Sequence, residues 1–373
     1  MNYKFYFPVN VIFNIKSIDL LNSYILPERK IMIVCGKKSI KETGLLKKIK
    51  NLLSKNNIFI FDRIYKEPDI NIVDTAVKFA KENKIEVIIG IGGGSVIDTS
   101  KAVSVLVNEN NFTTVMDYLE IDGHKQVCTE KIKMIAIPTV SGSGAEVTRN
   151  SVIYNPLTKT KRSFRNDCIF PDIAIIDPEL TLTVPAKQTA ISGLDALCHL
   201  TESFLSKKSN QFTDILCIEG IKLVINSLEK LIYDLNNLQL RENISQASVL
   251  GGIVISNSGL TFGHGIGAVI GPRFNLPHGL SCGILLPEVI NFSFNYLSKE
   301  KQRILTELFG NKPSERVKKI LLNLNLPDSF TEFHIKETDL INIVDTGITA
   351  SSTKATIVEL TKEQLLNILK NCI

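Results

Sequence analysis

Short apolar runs separated by amphipathic stretches fill the first half of the chain. Residues 9–13, Ile31–Cys35, Ile58–Phe61, Glu86–Gly90 and Met134–Ile137 read as strands. Between them, 41–54 and 71–83 read as helices, the second carrying Ile72, Val73, Ala76, Phe79 and Ala80 at helical spacing. Alternation of this kind predicts a parallel sheet with helices on both faces. Beyond Pro185 the strand signal fades. Residues 187–206, 211–233, 241–258, 299–310, 313–324 and 361–371 all show helical periodicity. Asn311 can cap the fifth of these, and Pro313 suits its first turn. The pattern predicts an α/β N-terminal domain over 1–182 and an all-α C-terminal domain over 183–373.

Composition narrows the class. A chain of 373 residues can bury two substantial cores, and 44% hydrophobic with 22% charged residues is ordinary for a soluble globular protein. The net charge of +5 is dispersed. Lys47, Lys48 and Lys50 read as a solvated helix face, and no basic tail or aromatic–basic repeat suggests a nucleic-acid partner. The seven cysteines are scattered without a CxxC pair, which fits buried thiols in a reducing, cytoplasmic setting better than disulfides. MNYKFYFPVNVIF lacks a signal-peptide cleavage pattern, and the richest apolar run, 284–292, is too short for a membrane span and contains Glu288.

Two loops carry candidate chemistry. Gly92-Gly93-Gly94-Ser95 follows the strand at 86–90, and a helix starting near Ser95 would aim its free N–H groups at an anion such as a pyrophosphate. This is not the usual GxGxxG fingerprint, and Asp98 with Lys101 could be no more than an exposed ion pair. The second loop, PTVSGSGAEVT (138–148), is dense in hydroxyls and glycines that suit a ribose or phosphate. Histidines supply a third candidate. Asp195 and His199 fall one turn apart on a helix at 193–206, while His264 and His278 bracket HGIGAVIGPRFNLPH. One oxygen and three nitrogens, with no thiolate, suit Fe(II) or Zn(II). His124 and His334 read as ordinary non-ligand residues.

Taken in order, GGGSVIDTSKAV, IPTVSGSGAEVT, IDPELTLTVP, GLDALCHLTE and HGIGAVIGPRFNLPHG resemble the iron-containing, or group III, alcohol dehydrogenases over nearly the whole chain. The resemblance implies the dehydroquinate synthase-like fold: an N-terminal dinucleotide-binding domain and a helical metal-binding domain. It implies metal ligands at Asp195, His199, His264 and His278, and a diphosphate loop at Gly93, Gly94, Ser95 and Asp98. It also implies cofactor contacts at Thr139, Ser143, Val147, Lys161 and Leu180, and a dimer. The expected activity is hydride transfer between a nicotinamide cofactor and an aldehyde or primary alcohol.

Three local features refine that expectation. Gly36-Lys37-Lys38-Ser39 after the second strand holds no carboxylate to repel a 2′-phosphate, and resembles the turn of NADPH-using members, so NADP(H) is expected over NAD(H). Arg149 and Arg273 could face an anionic substrate group, or could be rim arginines. Many family members carry a proton-relaying histidine four residues after the third ligand; here that position is Ala268. Related lyases of the dehydroquinate synthase type normally include a glutamate ligand, which places them behind the oxidoreductase. A non-catalytic relative rests on Ala268 alone.

Overall fold

The computed structural model describes residues 3–64, 67–127 and 130–373. By internal contacts the chain forms two compact units. One is Phe7–Val140 with Gly144–Val184; the other takes Pro185–Ile373, Ser141–Ser143 and the N-terminal segment through Tyr6. The last two segments are not included by a single linear boundary at 182/183.

The α/β unit contains β1 (Asn10–Phe13), β2 (Lys30–Gly36), α1 (Ser39–Glu42), α2 (Leu45–Leu52), β3 (Asn57–Ile64), α3 (Ile70–Glu82), β4 (Val87–Gly92) and α4 (Gly94–Leu106). It continues with β5 (Lys133–Pro138), β6 (Asn150–Asn155), β7 (Thr160–Arg165) and β8 (Ile173–Ile176). Six strands form a parallel sheet in the order β1-β8-β5-β4-β2-β3, and β6 pairs with β7 as an antiparallel hairpin. The central strands are continuous apolar runs because both faces are covered. In β2, Met32 and Val34 pack with α3 and α4 residues such as Val73 and Ile97. Ile31 and Ile33 turn to the opposite core, with Ile49 of α2 and Ile89.

Strand order sets the useful end of this sheet. From β2 the chain moves outward to β3, then crosses back to β4 on the other side of β2. Ligand crevices in open parallel sheets form at the carboxyl ends of strands where the order reverses this way. Here those ends are Gly36 on β2 and Gly92 on β4.

The second unit holds α5 (Ala186–Leu205), α6 (Gln211–Leu231), α7 (Leu238–Ser258), α8 (Phe262–Phe274), α9 (His278–Phe294), α10 (Lys299–Phe309), α11 (Pro313–Asn323), α12 (Glu337–Gly347) and α13 (Lys362–Lys370). Its core is one continuous apolar cluster around Leu194, Leu197, Phe204, Ile266 and Leu285. Two early segments are pinned to α7. Tyr6 exchanges backbone bonds with the Asn257 amide, its N–H donating at 2.8 Å. Ser141 Oγ lies 2.8 Å from Ser245 Oγ, and the Gly142 N–H donates to Ser248 Oγ at 2.8 Å.

Several expectations are corrected. The helix expected over 41–54 is two, α1 and α2, broken at Gly44 with φ of +76°. The α4 helix starts at Gly94 with Gly93 at its cap, one residue ahead of Ser95. Lys312, not Asn311, occupies the cap position of α11, with Pro313 in its first turn. The β6–β7 hairpin, β8, α8, α9 and α12 have no counterpart in the predicted elements. For α8 and α9 the cause is visible. They carry Gly263, Gly265, Gly267, Gly271, Pro272, Gly279, Gly283 and Pro287, which read as breakers, and burial on nearly every side removes the polar stripe that marks a helix. No single helix among the described residues is long and apolar enough to cross a membrane.

Candidate active site

The histidine cluster is built on α5. Asp195, His199 and Glu202 recur at i, i+4 and i+7, so they share one face of a helix that is buried almost all round. His264 enters from the first turn of α8 and His278 from the first residue of α9. The four expected ligands converge. Asp195 Oδ1 lies 3.7 Å from both His199 Nε2 and His264 Nε2. Ring centroids are 4.7 Å apart for His199 and His264, and 5.3 Å apart for His264 and His278. Asp195 Oδ1 and His264 Nε2 are buried and have no hydrogen-bond partner. Two such atoms left facing one another cost several kcal/mol unless a cation or proton joins them. That is a physical test of a metal site, and this donor set passes it.

Glu202 organises the cluster and was not singled out from the sequence, although it stands in GLDALCHLTE. It is fully buried. Its Oε2 accepts from the Thr261 N–H at 2.9 Å, the Thr261 hydroxyl at 2.6 Å and the His264 N–H at 3.2 Å. These include free N–H groups at the start of α8, where Thr261 makes no side-chain cap of its own, so a carboxylate from another helix serves as the cap. Its Oε1 lies 2.6 Å from His264 Nδ1. Nδ1–H then donates to Glu202, and the Nε2 lone pair faces Asp195. A Cβ at Gly263 would stand 2.6 Å from Glu202 Oε1, so glycine is what leaves room for the carboxylate beside His264. The signal was a carboxylate at i+3 from His199 on a face already committed to chemistry.

Charge follows geometry. Burial opposes ionisation of Asp195, but His199, His278 and His264 outweigh it and hold the carboxyl well below its usual range. Burial brings His199 down to about 4, so that ring is neutral at pH 7, as a metal donor must be. Burial also pulls His264 down, but Cys282, Glu202 and Asp195 together raise it well above an ordinary histidine.

A sulfur lies beside the expected donors. Donor atoms of Asp195, His264, His278 and Cys282 all lie within 4.8 Å of one another. Cys282 is one turn after His278 on α9, a spacing masked by the missed helix. Ala268 is half-buried on α8 and offers no titratable group.

The expected cofactor loops gather at the switch point of the α/β sheet. Gly93, Gly94 and Ser95 form the N-terminus of α4, just past Gly92. Gly36 closes β2 beside that strand, with Cys35 paired to Ile91, and Lys37, Lys38 and Ser39 are exposed after it. Thr139 follows β5 and donates its N–H to Gly92 O at 3.0 Å. Val147 is buried in a short turn over 145–147. Ser143 groups with the helical unit. Lys161, on β7, is nearly buried and ion-paired with Glu67, and Leu180 packs against the core that holds Ile33. The absence of a carboxylate near the β2 turn holds only for the turn's own sequence. β3 brings Asp62 to Lys41, where the two form an ion pair.

Asp98 and Lys101 are not an exposed pair. Lys101 is completely buried, 2.8 Å from Asp98 Oδ1, and donates to Ala145 O at 2.8 Å, Thr148 Oγ1 at 2.9 Å and Asn150 O. Asp98 Oδ2 accepts from the Val152 N–H at 3.1 Å. The pair ties α4 to the second loop and to β6, and so braces the turn at the start of α4 from behind. Arg149 is ion-paired to Asp167 at 3.0 Å. Arg273 is exposed in the last turn of α8, nine residues or about 13 Å along the helix from His264.

Family comparisons agree with this architecture. Residues 8–178 match the family model described as iron-containing alcohol dehydrogenase, and 189–373 match the C-terminal model of the Fe-containing alcohol dehydrogenase family. The chain belongs to the iron-containing alcohol dehydrogenase family. It is therefore an oxidoreductase of the alcohol dehydrogenase type. Among its relatives is the long-chain-alcohol dehydrogenase 1 of Geobacillus thermodenitrificans, 29% identical over 87% of this chain and 84% of that protein. The NADPH-dependent butanol dehydrogenase of Clostridium saccharobutylicum is 30% identical over 92% and 89% of the two chains. An iron-containing alcohol dehydrogenase from Thermotoga maritima is similar in structure, with a TM-score of 0.89 at 30% identity, over 100% of this chain and 99% of that one.

Proposed function

We propose that this member of the family is an aldehyde reductase that prefers NADP(H) and uses one divalent metal, Fe(II) or Zn(II), held by Asp195, His199, His264 and His278. The observation that carries the reading is the pair of buried, unpartnered donors, Asp195 Oδ1 and His264 Nε2, among converging imidazoles. A metal there would supply Lewis-acid polarisation of a carbonyl oxygen.

Reducing an aldehyde adds a hydride to the carbonyl carbon and a proton to its oxygen. In this reading the backbone N–H groups of Gly94 and Ser95, with Gly93 at the same turn, hold the cofactor diphosphate at the start of α4, and Asp98, paired with Lys101, braces that turn from behind. Lys37, Lys38 and Ser39, after Gly36, meet the 2′-phosphate; Asp62 is offset by its own partner Lys41. Thr139, Ser143, Val147, Lys161 and Leu180 contact the rest of the cofactor. Glu202 fixes the His264 ring and its tautomer. Ala268 can pass no proton, so the carbonyl oxygen takes its proton from water or a ribose hydroxyl.

NADPH absorbance tests the reading, with anaerobic protein loaded with Fe(II) or Zn(II) and a panel of neutral and acidic aldehydes. Consumption that stops with chelator and returns with metal is expected, with kcat/KM higher for NADPH than for NADH. No consumption by metal-loaded protein that binds NADPH would overturn it, and comparable efficiency with NADH would remove the cofactor preference.

A further inference from the structure

We infer that the Lys41–Asp62 ion pair sets the choice between NADP(H) and NAD(H) in this chain. Asp62 is the carboxylate that would accept from a free ribose 2′-hydroxyl and repel a 2′-phosphate, and Lys41 neutralises it. The inference rests on the cofactor preference proposed above and deepens it.

In sheets of this kind an acid or a cation near the strand ends meets the ribose 2′ position. The turn after β2, Gly36 to Ser39, holds no acid of its own. One arrives from β3 instead. The two strands pair in step from Lys30 with Asn57 to Val34 with Phe61, but the next pair is Gly36 with Ile64. Two residues of β3, Asp62 and Arg63, therefore stand against Cys35 alone. A bulge of this sort bends the strand end and re-aims its side chains. Asp62 meets α1, where Lys41 donates to its carboxylate. Arg63 lies over the Phe61 ring, 5.7 Å from the centroid.

The charges act on the end of β2. Burial pushes the Cys35 thiol up to about 11, with Asp62 adding to the rise and Lys41 opposing it, so both charges are felt at the residue before Gly36. The Lys41 hydrogen bond holds the Asp62 carboxyl below its usual range, and the Arg63 charge acts in the same direction. Asp62 is thus an ionised acid at pH 7, next to the turn that carries Lys37 and Lys38.

Both partners of the pair are partly exposed. Such a pair is held weakly, so a ligand can draw one partner off. A 2′-phosphate offers Lys41 a stronger, charge-assisted contact. A ribose with free hydroxyls offers it nothing comparable and finds the acid already occupied. Two opposite effects follow. Removing Lys41 unmasks the acid and takes a cation from the phosphate, whereas removing the acid releases Lys41 to the phosphate.

Binding of NADPH and of NADH is titrated by nicotinamide fluorescence, which needs neither metal nor turnover, for wild type, Lys41→Ala, Asp62→Asn and the double variant. The preference, Kd for NADH over Kd for NADPH, is expected to fall by about tenfold or more in Lys41→Ala, the scale of one charge-assisted contact. It is expected to rise in Asp62→Asn. Lys41→Ala is expected to cost less preference when Asp62 is already Asn, because no acid is left to unmask. Wild type that prefers NADPH, with the preference unchanged within twofold in both single variants, would overturn the inference and leave the cofactor reading standing. Equal weakening of both cofactors in Lys41→Ala would make the pair a brace for α1 and overturn it too, as would strictly additive effects, since Lys41 would then act without Asp62. Wild type that binds NADH as tightly as NADPH would remove the cofactor preference itself, and this inference with it.

Discussion

Replacing Glu202 by glutamine changes one oxygen to an amide nitrogen and leaves the volume alone. The carboxylate accepts on both sides: three donors from Thr261 and His264 on Oε2, and His264 Nδ1–H on Oε1. A glutamine can accept on only one. If its oxygen faces Thr261, its NH2 faces Nδ1, and the ring must accept there and carry its proton on Nε2, the atom that faces Asp195. If the amide turns round, three donors at the start of α8 meet two more. The first arrangement costs less and blocks the metal. Outer-shell partners of this kind are worth about 10–100-fold in metal affinity, or about 1.4–2.7 kcal/mol. Zn(II) affinity of Glu202→Gln, measured by chelator competition, is expected to fall by that range. In nitrogen NMR of the metal-free protein, the His264 ring is expected to lose its Nδ1 proton in the variant and keep the one on Nε2. Affinity within twofold of wild type with the Nδ1 proton retained would refute the argument, because the substitution would then have found a third arrangement that the hydrogen-bond count forbids.

Lys101→Met should leave Asp98 buried and uncompensated, at about 3–5 kcal/mol, and a fall in Tm with weakened NADPH binding checks it. Glu146 is buried, and burial raises its carboxyl from an ordinary 4.5 to about 7. The folded state thus holds the proton longer than the unfolded chain, and wild type loses stability as pH rises through that window and no further above it, by up to about 3 kcal/mol. Glu146→Gln lacks this loss, so urea midpoints of the variant relative to wild type should improve from pH 5 to pH 8; a constant difference would contradict the assignment. Lys38→Glu should raise KM for NADPH by about tenfold, one charge-assisted contact, with little change for NADH. Equal effects on both cofactors would place Lys38 away from the 2′-phosphate.

Legibility from sequence followed burial and glycine content. Strands β2, β4 and β5 are short apolar runs flanked by turns, and they stand where periodicity puts them. The α8 and α9 helices escaped because their glycines permit close approach: Gly263 beside Glu202 and Gly267 beside Cys282 are positions where packing, rather than helix propensity, chose the residue. Missing α9 as a helix hid the one-turn spacing of His278 and Cys282. Lys101 looked like surface charge because its partners, the carbonyls of Ala145 and Asn150, lie far along the chain and carry no sequence signal. Asp195 and His199 were readable because a single helix brings them together.

The division of the chain has a consequence for synthesis and for genetic dissection. The polypeptide leaves the helical unit after Tyr6, returns for Ser141–Ser143, leaves again and returns at Pro185. The helical unit's first residues are therefore made before any of the α/β unit, yet α7, which supplies Asn257, Ser245 and Ser248 to hold the early segments, emerges only after the whole of the α/β unit. Those early strands of chain wait for their partners through most of translation. A gene fragment beginning at Pro185 would encode every helix of the unit and still lack two of its pieces, so supplying the N-terminal peptide in trans is a more faithful way to complement it than shifting the cut site.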